Sequence, residues 1–166
     1  MASNLTYGEL TAIGRQQLIK NIEQDINNKS IFMDIGCGYG KLVTDVAEYF
    51  NITSIGVEID REKVNIANKI NWLPYNLRRK ITFYNQDITK NIKLLQYANI
   101  AFCNNVCFDT PLQNFIFKNF KGILIFSREP KNKELIKTKP EVFKLKVSWN
   151  EQDLHTFYKT NTIDNR

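Results

Sequence analysis

The sequence predicts an α/β fold in which a mostly parallel, seven-stranded sheet carries helices on both faces and ends in an antiparallel hairpin. Three observations predict it. Short apolar runs alternate with stretches of helical spacing from about residue 30 to residue 126. A glycine-rich turn, Gly36-Cys37-Gly38-Tyr39-Gly40, follows the first run. Near its end the chain changes to two-residue alternation, the pattern of strands with one face covered.

Each element has its own signal. Leu18, Ile22 and Ile26 mark a helix ahead of the sheet. Ser30–Ile35 is an apolar run that reads as a buried parallel strand. Leu42, Val46 and Phe50, with Val43 and Ala47 beside them, repeat at helical spacing. Ser54–Ile59 is the second strand, and Val64, Ala67 and Ile70 mark a helix stopped before Pro74. Ile81–Asn85 and Asn99–Cys103 are two further strands. Pro111 suits a first helical turn, with Leu112, Phe115 and Ile116 behind it. Gly122–Phe126 is the fifth strand. In Val142–Trp149 the residues Phe143, Leu145, Val147 and Trp149 face one way and Lys144, Lys146 and Ser148 the other. Leu154–Lys159 can alternate too, and Asn150–Asp153 is the turn between them. Five βα units and a terminal hairpin are the architecture of Rossmann-like class I methyltransferases. A chain of 166 residues, 43% hydrophobic, is the size of one domain. The expectation is a single domain over 1–166, with a covering loop and helix in 1–29 and the core in 30–166.

Composition narrows the function classes. No stretch approaches the roughly 18 apolar residues of a membrane span, and MASNLTYGEL lacks the basic start and apolar run of a signal peptide. A soluble, intracellular protein without a membrane partner is expected. Cys37, Cys103 and Cys107 are odd in number and, with the lone His155, form no zinc spacing. Free thiols and no metal follow. The abundance of Asn, Ile and Lys is the bias of an AT-rich genome, such as many parasites and large viruses have. The net charge is +6, and most of the excess lies in 121–146, which holds Lys121, Arg128, Lys131, Lys133, Lys137, Lys139, Lys144 and Lys146 against Glu129, Glu134 and Glu141. Arg78-Arg79-Lys80 is a second, smaller cluster. Clustered positive charge suits an acidic partner such as nucleic acid or chromatin.

The glycine turn identifies a ligand class. Glycines there let the backbone approach a ligand, and a helix start presents free amides. The dinucleotide fingerprint spaces its third glycine one residue further on, and Asp34 ahead of Gly36 would repel a pyrophosphate. A carboxylate in that place suits a ligand with an α-amino group, as S-adenosylmethionine has. Glu58, 24 residues on, is placed to accept from both ribose hydroxyls, and Asp87 from the adenine amino group. Three acidic groups, each just past one of the first three strands, form a coherent set.

Four segments resemble one family, the disruptor-of-telomeric-silencing histone lysine methyltransferases, which lack a SET domain. Thr6-Tyr7-Gly8-Glu9 is similar to the loop that closes over the cofactor, and Phe32–Gly40 to the first strand and turn. Phe102-Cys103-Asn104-Asn105-Val106-Cys107-Phe108 is similar to the double-asparagine motif after strand four. Val147-Ser148-Trp149 with Leu154-His155-Thr156 resembles the terminal hairpin. The resemblance implies that Tyr7, Gly8, Glu9, Asp34, Gly36, Gly38, Lys41, Glu58, Asp87, Ile88 and Asn104 line the S-adenosylmethionine site. It implies that Phe108 and Trp149 wall a channel for the acceptor lysine, so that Asn104, Phe108 and Trp149 carry the chemistry. It further implies a histone or nucleosome as partner, with electrostatic contact to DNA, a monomer, and a nuclear location (or the host cell, were the source viral). Arg128, Lys131, Lys133 and Lys137 are the expected docking side chains, just past strand five, since the basic tails of larger members have no counterpart here.

Departures from the family pattern concern the acceptor side. Only Asn150–Asp153 separates the tryptophan from Leu-His-Thr, where the family has a longer stretch with a tyrosine. Lys41 stands where animal members have glutamine. The competing reading is a nucleic-acid amino-methyltransferase, because Asn105-x-x-Phe108 partly matches Asn-Pro-Pro-Tyr/Phe without its prolines. A third reading is a cofactor-binding protein without turnover.

Overall fold

The computed structural model describes residues 8–150 and 152–163. Its elements follow the chain as α1 (Ala12–Ile22), β1 (Ile31–Ile35), α2 (Lys41–Phe50), β2 (Thr53–Glu58), α3 (Arg61–Ala67), α4 (Tyr75–Arg78), β3 (Ile81–Asn85), α5 (Ile92–Tyr97), β4 (Ile100–Cys103), α6 (Thr110–Asn119), β5 (Ile123–Phe126), β6 (Glu141–Lys146) and β7 (Leu154–Asn161). The seven strands form one sheet in the order β3-β2-β1-β4-β5-β7-β6. The pairs from β3 to β5 are parallel, and β7 runs antiparallel to both β5 and β6.

Strand alternation sends side chains to two apolar layers. Met33, Ile35, Ala101, Cys103, Leu124 and Phe126 pack with Leu94 and Leu95 of α5 and Ile116 and Phe117 of α6. Phe32, Ile100, Phe102 and Ile125 face the opposite way, toward Leu18 and Ile22 of α1 and Leu42 and Val46 of α2. Val43 and Ala47 on another side of α2 meet Val64 and Ala67 of α3. Helix α2 is thus buried along two stripes, which explains its run of adjacent apolar residues. No helix among the described residues is long and apolar enough to cross a membrane. Cys37 and Cys103 are buried and unbridged, and Cys107 is exposed.

The hairpin differs from the sequence expectation in one respect. β6 ends at Lys146 and pairs with β7 only as far as Leu154. Beyond it the chain pairs with the segment ahead of α1. Leu10 bridges Val147, Ser148 N–H donates to the Glu9 carbonyl at 3.0 Å, and Thr11 N–H to the Lys146 carbonyl at 3.2 Å. Gln17 Oε1 accepts from Lys146 N–H at 2.9 Å. The N-terminal segment therefore pairs with the strand edge turned away from β7, while Val147 N–H still donates to the Asp153 carbonyl at 3.0 Å, and it carries Glu9 and Leu10 beside Val147 and Ser148.

Candidate active site

In an open α/β sheet, ligands bind at the carboxyl ends of the strands, where the strand order reverses. Here that point lies between β1 and β4, since β1 is flanked by β2 and β4. A cleft of about 450 Å³ opens there, lined by Gly36, Glu58, Asp87, Ile88, Asn104, Phe108 and Trp149 among others. A smaller recess shares Gly8, Gly36 and Asn104 with it and adds Glu9, Asp34 and Lys41. The larger volume falls in the range of small-molecule sites.

The glycine turn is held by β2. Val57 carbonyl accepts from Gly36 N–H at 2.8 Å and Cys37 N–H at 3.1 Å. Gly36 has φ +76, and a Cβ there would meet Phe108 Cζ at 3.2 Å, so both conformation and space call for glycine. Gly38 differs from its expected role: it lines neither cavity. Its N–H donates to Glu58 Oε2 at 2.9 Å, so it positions the carboxylate that ends β2. Glu58 Oε1 accepts from Asp60 N–H at 3.0 Å. Each oxygen keeps a second lone pair, as two ribose hydroxyls would require.

Asp34 lies within β1 and is 5% exposed. Burial, reinforced by the nearby Glu58 and Glu9 carboxylates, pushes its pKa from 3.8 up to about 8. Lys41 reaches Glu9 Oε2 at 3.4 Å from an exposed position, a weak counter-charge. Asp87 has the opposite character. The Thr89 hydroxyl and N–H donate to its Oδ1 at 2.7 and 2.9 Å and hold its carboxyl below the usual range. It remains a fixed anion beside Ile88, which is buried.

Asn104 Nδ2 donates to the Gly8 carbonyl at 2.9 Å, while its Oδ1 is buried with no hydrogen-bond partner among the described residues. A buried acceptor left open costs free energy unless a ligand supplies a donor. Gly8 is pressed against Trp149, since a Cβ would stand 2.6 Å from the indole Cε3. Trp149 in turn meets His155, ring centroids 5.3 Å apart, and His155 Nε2 lies 2.8 Å from the Ser127 carbonyl. Phe108 and Trp149 both line the larger cleft. Tyr7, also expected at this site, lies outside the described residues.

Two residues were not legible as site residues. Arg15 lines the smaller recess. It pairs with Asp45 at 2.6 Å and donates to the Leu10 carbonyl at 3.3 Å, anchoring the loop that carries Glu9. An arginine on a helix carries no sequence signal for this. Asn105 is fully buried and ties the β4 end to the β5 end. Its Oδ1 accepts from Ser127 and Arg128 N–H, both at 2.9 Å, and its Nδ2 donates to the Arg128 carbonyl at 2.7 Å and Gln113 Oε1 at 3.2 Å.

The expected docking side chains are not equivalent. Arg128 donates to the Phe108 carbonyl at 2.7 Å, so half of its fork braces the cleft wall. Lys133 pairs with Glu129 at 2.7 Å. Lys131 and Lys137 are exposed. Lys137 is corrected in position: it is not at the carboxyl end of β5. The Thr138 hydroxyl meets Thr160 Oγ1 at 2.8 Å and the Asn161 carbonyl at 3.2 Å, opposite the first residues of β5. The segment is drawn there because Leu135 and Ile136 pack on the core.

The family model described as "Histone methylation protein DOT1" matches residues 1–162. A curated relative, the H3 lysine-79 specific histone-lysine N-methyltransferase of Dictyostelium discoideum, is 29% identical over 106 residues, 58% of this chain and 6% of that protein. The chain therefore spans a small fraction of that relative. Among solved structures, an RNA methyltransferase from Salinibacter ruber with bound S-adenosyl-L-homocysteine aligns at TM-score 0.71 and 14% identity, covering 95% of each chain. Magnesium protoporphyrin IX methyltransferase from Synechocystis PCC 6803 with bound SAM aligns at TM-score 0.65 and 18% identity, covering 90% of this chain and 80% of that one. Their acceptors differ widely, so the fold they share does not select an acceptor.

Proposed function

The chain belongs to the DOT1 family of histone methylation proteins, and on that premise we propose that it is an S-adenosylmethionine-dependent protein lysine N-methyltransferase acting on a histone. The observation that carries the reading is the meeting of two unlike surfaces at one point of the sheet. On one side are Asp34, Glu58 and Glu9, with the open Oδ1 of Asn104. On the other are Phe108 and Trp149.

The acidic side fits the cofactor's chemistry. Three carboxylates this close, Asp34 and Glu9 in the smaller recess and Glu58 in the adjoining cleft, are stable together only with a cation among them or a proton on one. A ligand bearing an ammonium and a sulfonium answers both that need and the open acceptor of Asn104. When bound, S-adenosylmethionine supplies an electrophilic methyl group. Asp34 then holds the amino-acid end, Glu58 the ribose, and Asp87 with Ile88 the adenine. The aromatic side prepares the acceptor. A lysine must lose its proton before its nitrogen can attack, at a cost of about 4 kcal/mol at pH 7.4. Desolvation between Phe108 and Trp149 lowers that cost, and the released proton passes to solvent. Catalysis rests on position and on exclusion of water.

The nucleic-acid amino-methyltransferase reading relied on Asn105-x-x-Phe108. The Asn105 side chain is wholly engaged by Ser127, Arg128 and Gln113, so it is not available to hold a base. A labelled-methyl assay against nucleosomes, free histone H3, RNA and DNA tests the proposal. Incorporation into H3 is expected, and incorporation into RNA or DNA alone would overturn it. On this reading the chain acts as a monomer in the compartment that holds chromatin, with Arg128, Lys131 and Lys133 facing the nucleosome. Changing Lys131 and Lys133 to Ala should weaken nucleosome binding several-fold and flatten its salt dependence. The same change at Lys137 and Lys139, further down the sheet, should do less. Equal effects from the two pairs would refute the placement.

A further inference from the structure

The connection between α3 and β3 carries a surface unrelated to the cleft. Trp72 and Tyr75 are 69% and 68% exposed, although Leu73 between them is buried and Leu77 packs on the core. The chain is thus anchored by its leucines while it holds two large rings out to water. Residues 64–80 contain Lys69, Arg78, Arg79 and Lys80 and not one acidic residue. The guanidinium carbons of Arg78 and Arg79 each lie 5.8 Å from the Tyr75 ring centroid. Arg78 is also steadied by Asn71 Oδ1 at 3.4 Å, and Lys80 by the Asn51 carbonyl at 2.8 Å. Lys69 and Arg79 are exposed.

We infer that this surface binds single-stranded nucleic acid, with bases stacking on Trp72 and Tyr75 and phosphates meeting Lys69 and Arg79. Exposed rings interleaved with cations have the chemistry of a stacking platform, because a base offers a flat π-face and its backbone a negative charge. An acidic peptide would satisfy the cations and leave the two rings in water. A duplex keeps its bases stacked inside and would leave them equally unused. The surface lies ahead of β3, where Ser54 N–H donates to the Lys80 carbonyl at 2.8 Å, so it stands at the amino ends of the strands. The cleft stands at the carboxyl ends, and the two can be filled together. This inference is independent of the proposed acceptor.

Fluorescence anisotropy with labelled 20-mers of poly-U, poly-dT, a DNA duplex and poly-glutamate tests it. The wild-type protein should bind the two single strands more tightly than the duplex or the acidic peptide. Trp72→Ala with Tyr75→Ala should weaken single-strand binding by roughly tenfold or more and leave duplex binding unchanged. Trp72→Phe should retain most of it, which separates stacking from a change of fold. Circular dichroism should show that the double variant is folded, as expected for exposed side chains. Equal affinity for duplex and single strands, tighter binding of poly-glutamate, or unaltered affinity in a folded double variant would overturn the inference.

Discussion

Asp34→Asn will make the ligand-free protein more stable at neutral pH and, at the same time, strip it of most of its affinity for S-adenosylmethionine. In the folded protein Asp34 keeps its proton up to about pH 8, against 3.8 ordinarily. Between those values the folded chain holds a proton that the unfolded chain has released. Stability must therefore fall as pH rises through that window, and this group contributes no further change above about pH 8. At pH 7 the stability withheld is roughly 4 kcal/mol, and an amide in its place withholds none. Thermal melts from pH 5 to 8 should show the wild type losing several degrees that the variant keeps. Cofactor affinity moves the other way. The ligand's ammonium needs the ionised carboxylate, so wild-type affinity should strengthen toward pH 8, with release of a proton measurable by calorimetry in buffers of different ionisation enthalpy. The variant should bind about 50–100-fold more weakly, the loss of a charge-assisted contact. Identical melts for the two proteins across this range would remove the buried-acid account, and unchanged affinity would remove Asp34 from the site.

What could be read from residue patterns follows from the geometry of parallel sheets. All parallel strands end on the same edge, so acidic residues at strand ends must converge, and Asp34, Glu58 and Asp87 could be grouped without coordinates. Strands β4 and β5 were the plainest, because their nearly buried runs IAFC and ILIF have no polar interruption. Helix α5 was not. Its six residues carry Leu94 and Leu95 side by side, with no room for a repeat, and its cap, Asn91 to Leu94 N–H at 3.0 Å, is lost among many asparagines. The end of β6 was hidden for another reason: Val147 and Ser148 alternate like a strand, and only the Glu9–Thr11 backbone decides what they pair with. Lys137 was misplaced because the descent of 131–139 depends on where Leu135 and Ile136 find apolar surface. The bracing of Arg128 was not visible because its partner is the Phe108 carbonyl, and no sequence pattern advertises a backbone partner.

The adjacent asparagines show the same limit most sharply, and they support the second large expected effect. Asn104 and Asn105 are one residue type in consecutive positions, yet the turn after β4 sends them to different tasks. Asn104→Ala removes one bond to the Gly8 carbonyl and an acceptor that has no partner among the described residues. Its stability should therefore change by less than about 1 kcal/mol. Its methyl transfer should fall at least about 100-fold, because the loop carrying Gly8 and Glu9 loses its tether and the open acceptor is gone. Asn104→Asp should not restore activity, since a carboxylate cannot donate to Gly8 and adds charge beside Asp34. Asn105→Ala should behave in the reverse order. It leaves the buried N–H of Ser127 and the partly buried N–H and carbonyl of Arg128 without their Asn105 partners. A loss of about 3 kcal/mol is expected, which lowers the melting temperature by roughly 6–12 °C. Below that temperature, cofactor binding per folded molecule should remain near wild type, because Asn105 lines neither cavity. Melting temperature and cofactor affinity measured on both variants separate the two roles. If Asn104→Ala melts as early as Asn105→Ala, or if it binds S-adenosylmethionine and transfers methyl groups normally, Asn104 is a packing residue and the open acceptor has no function.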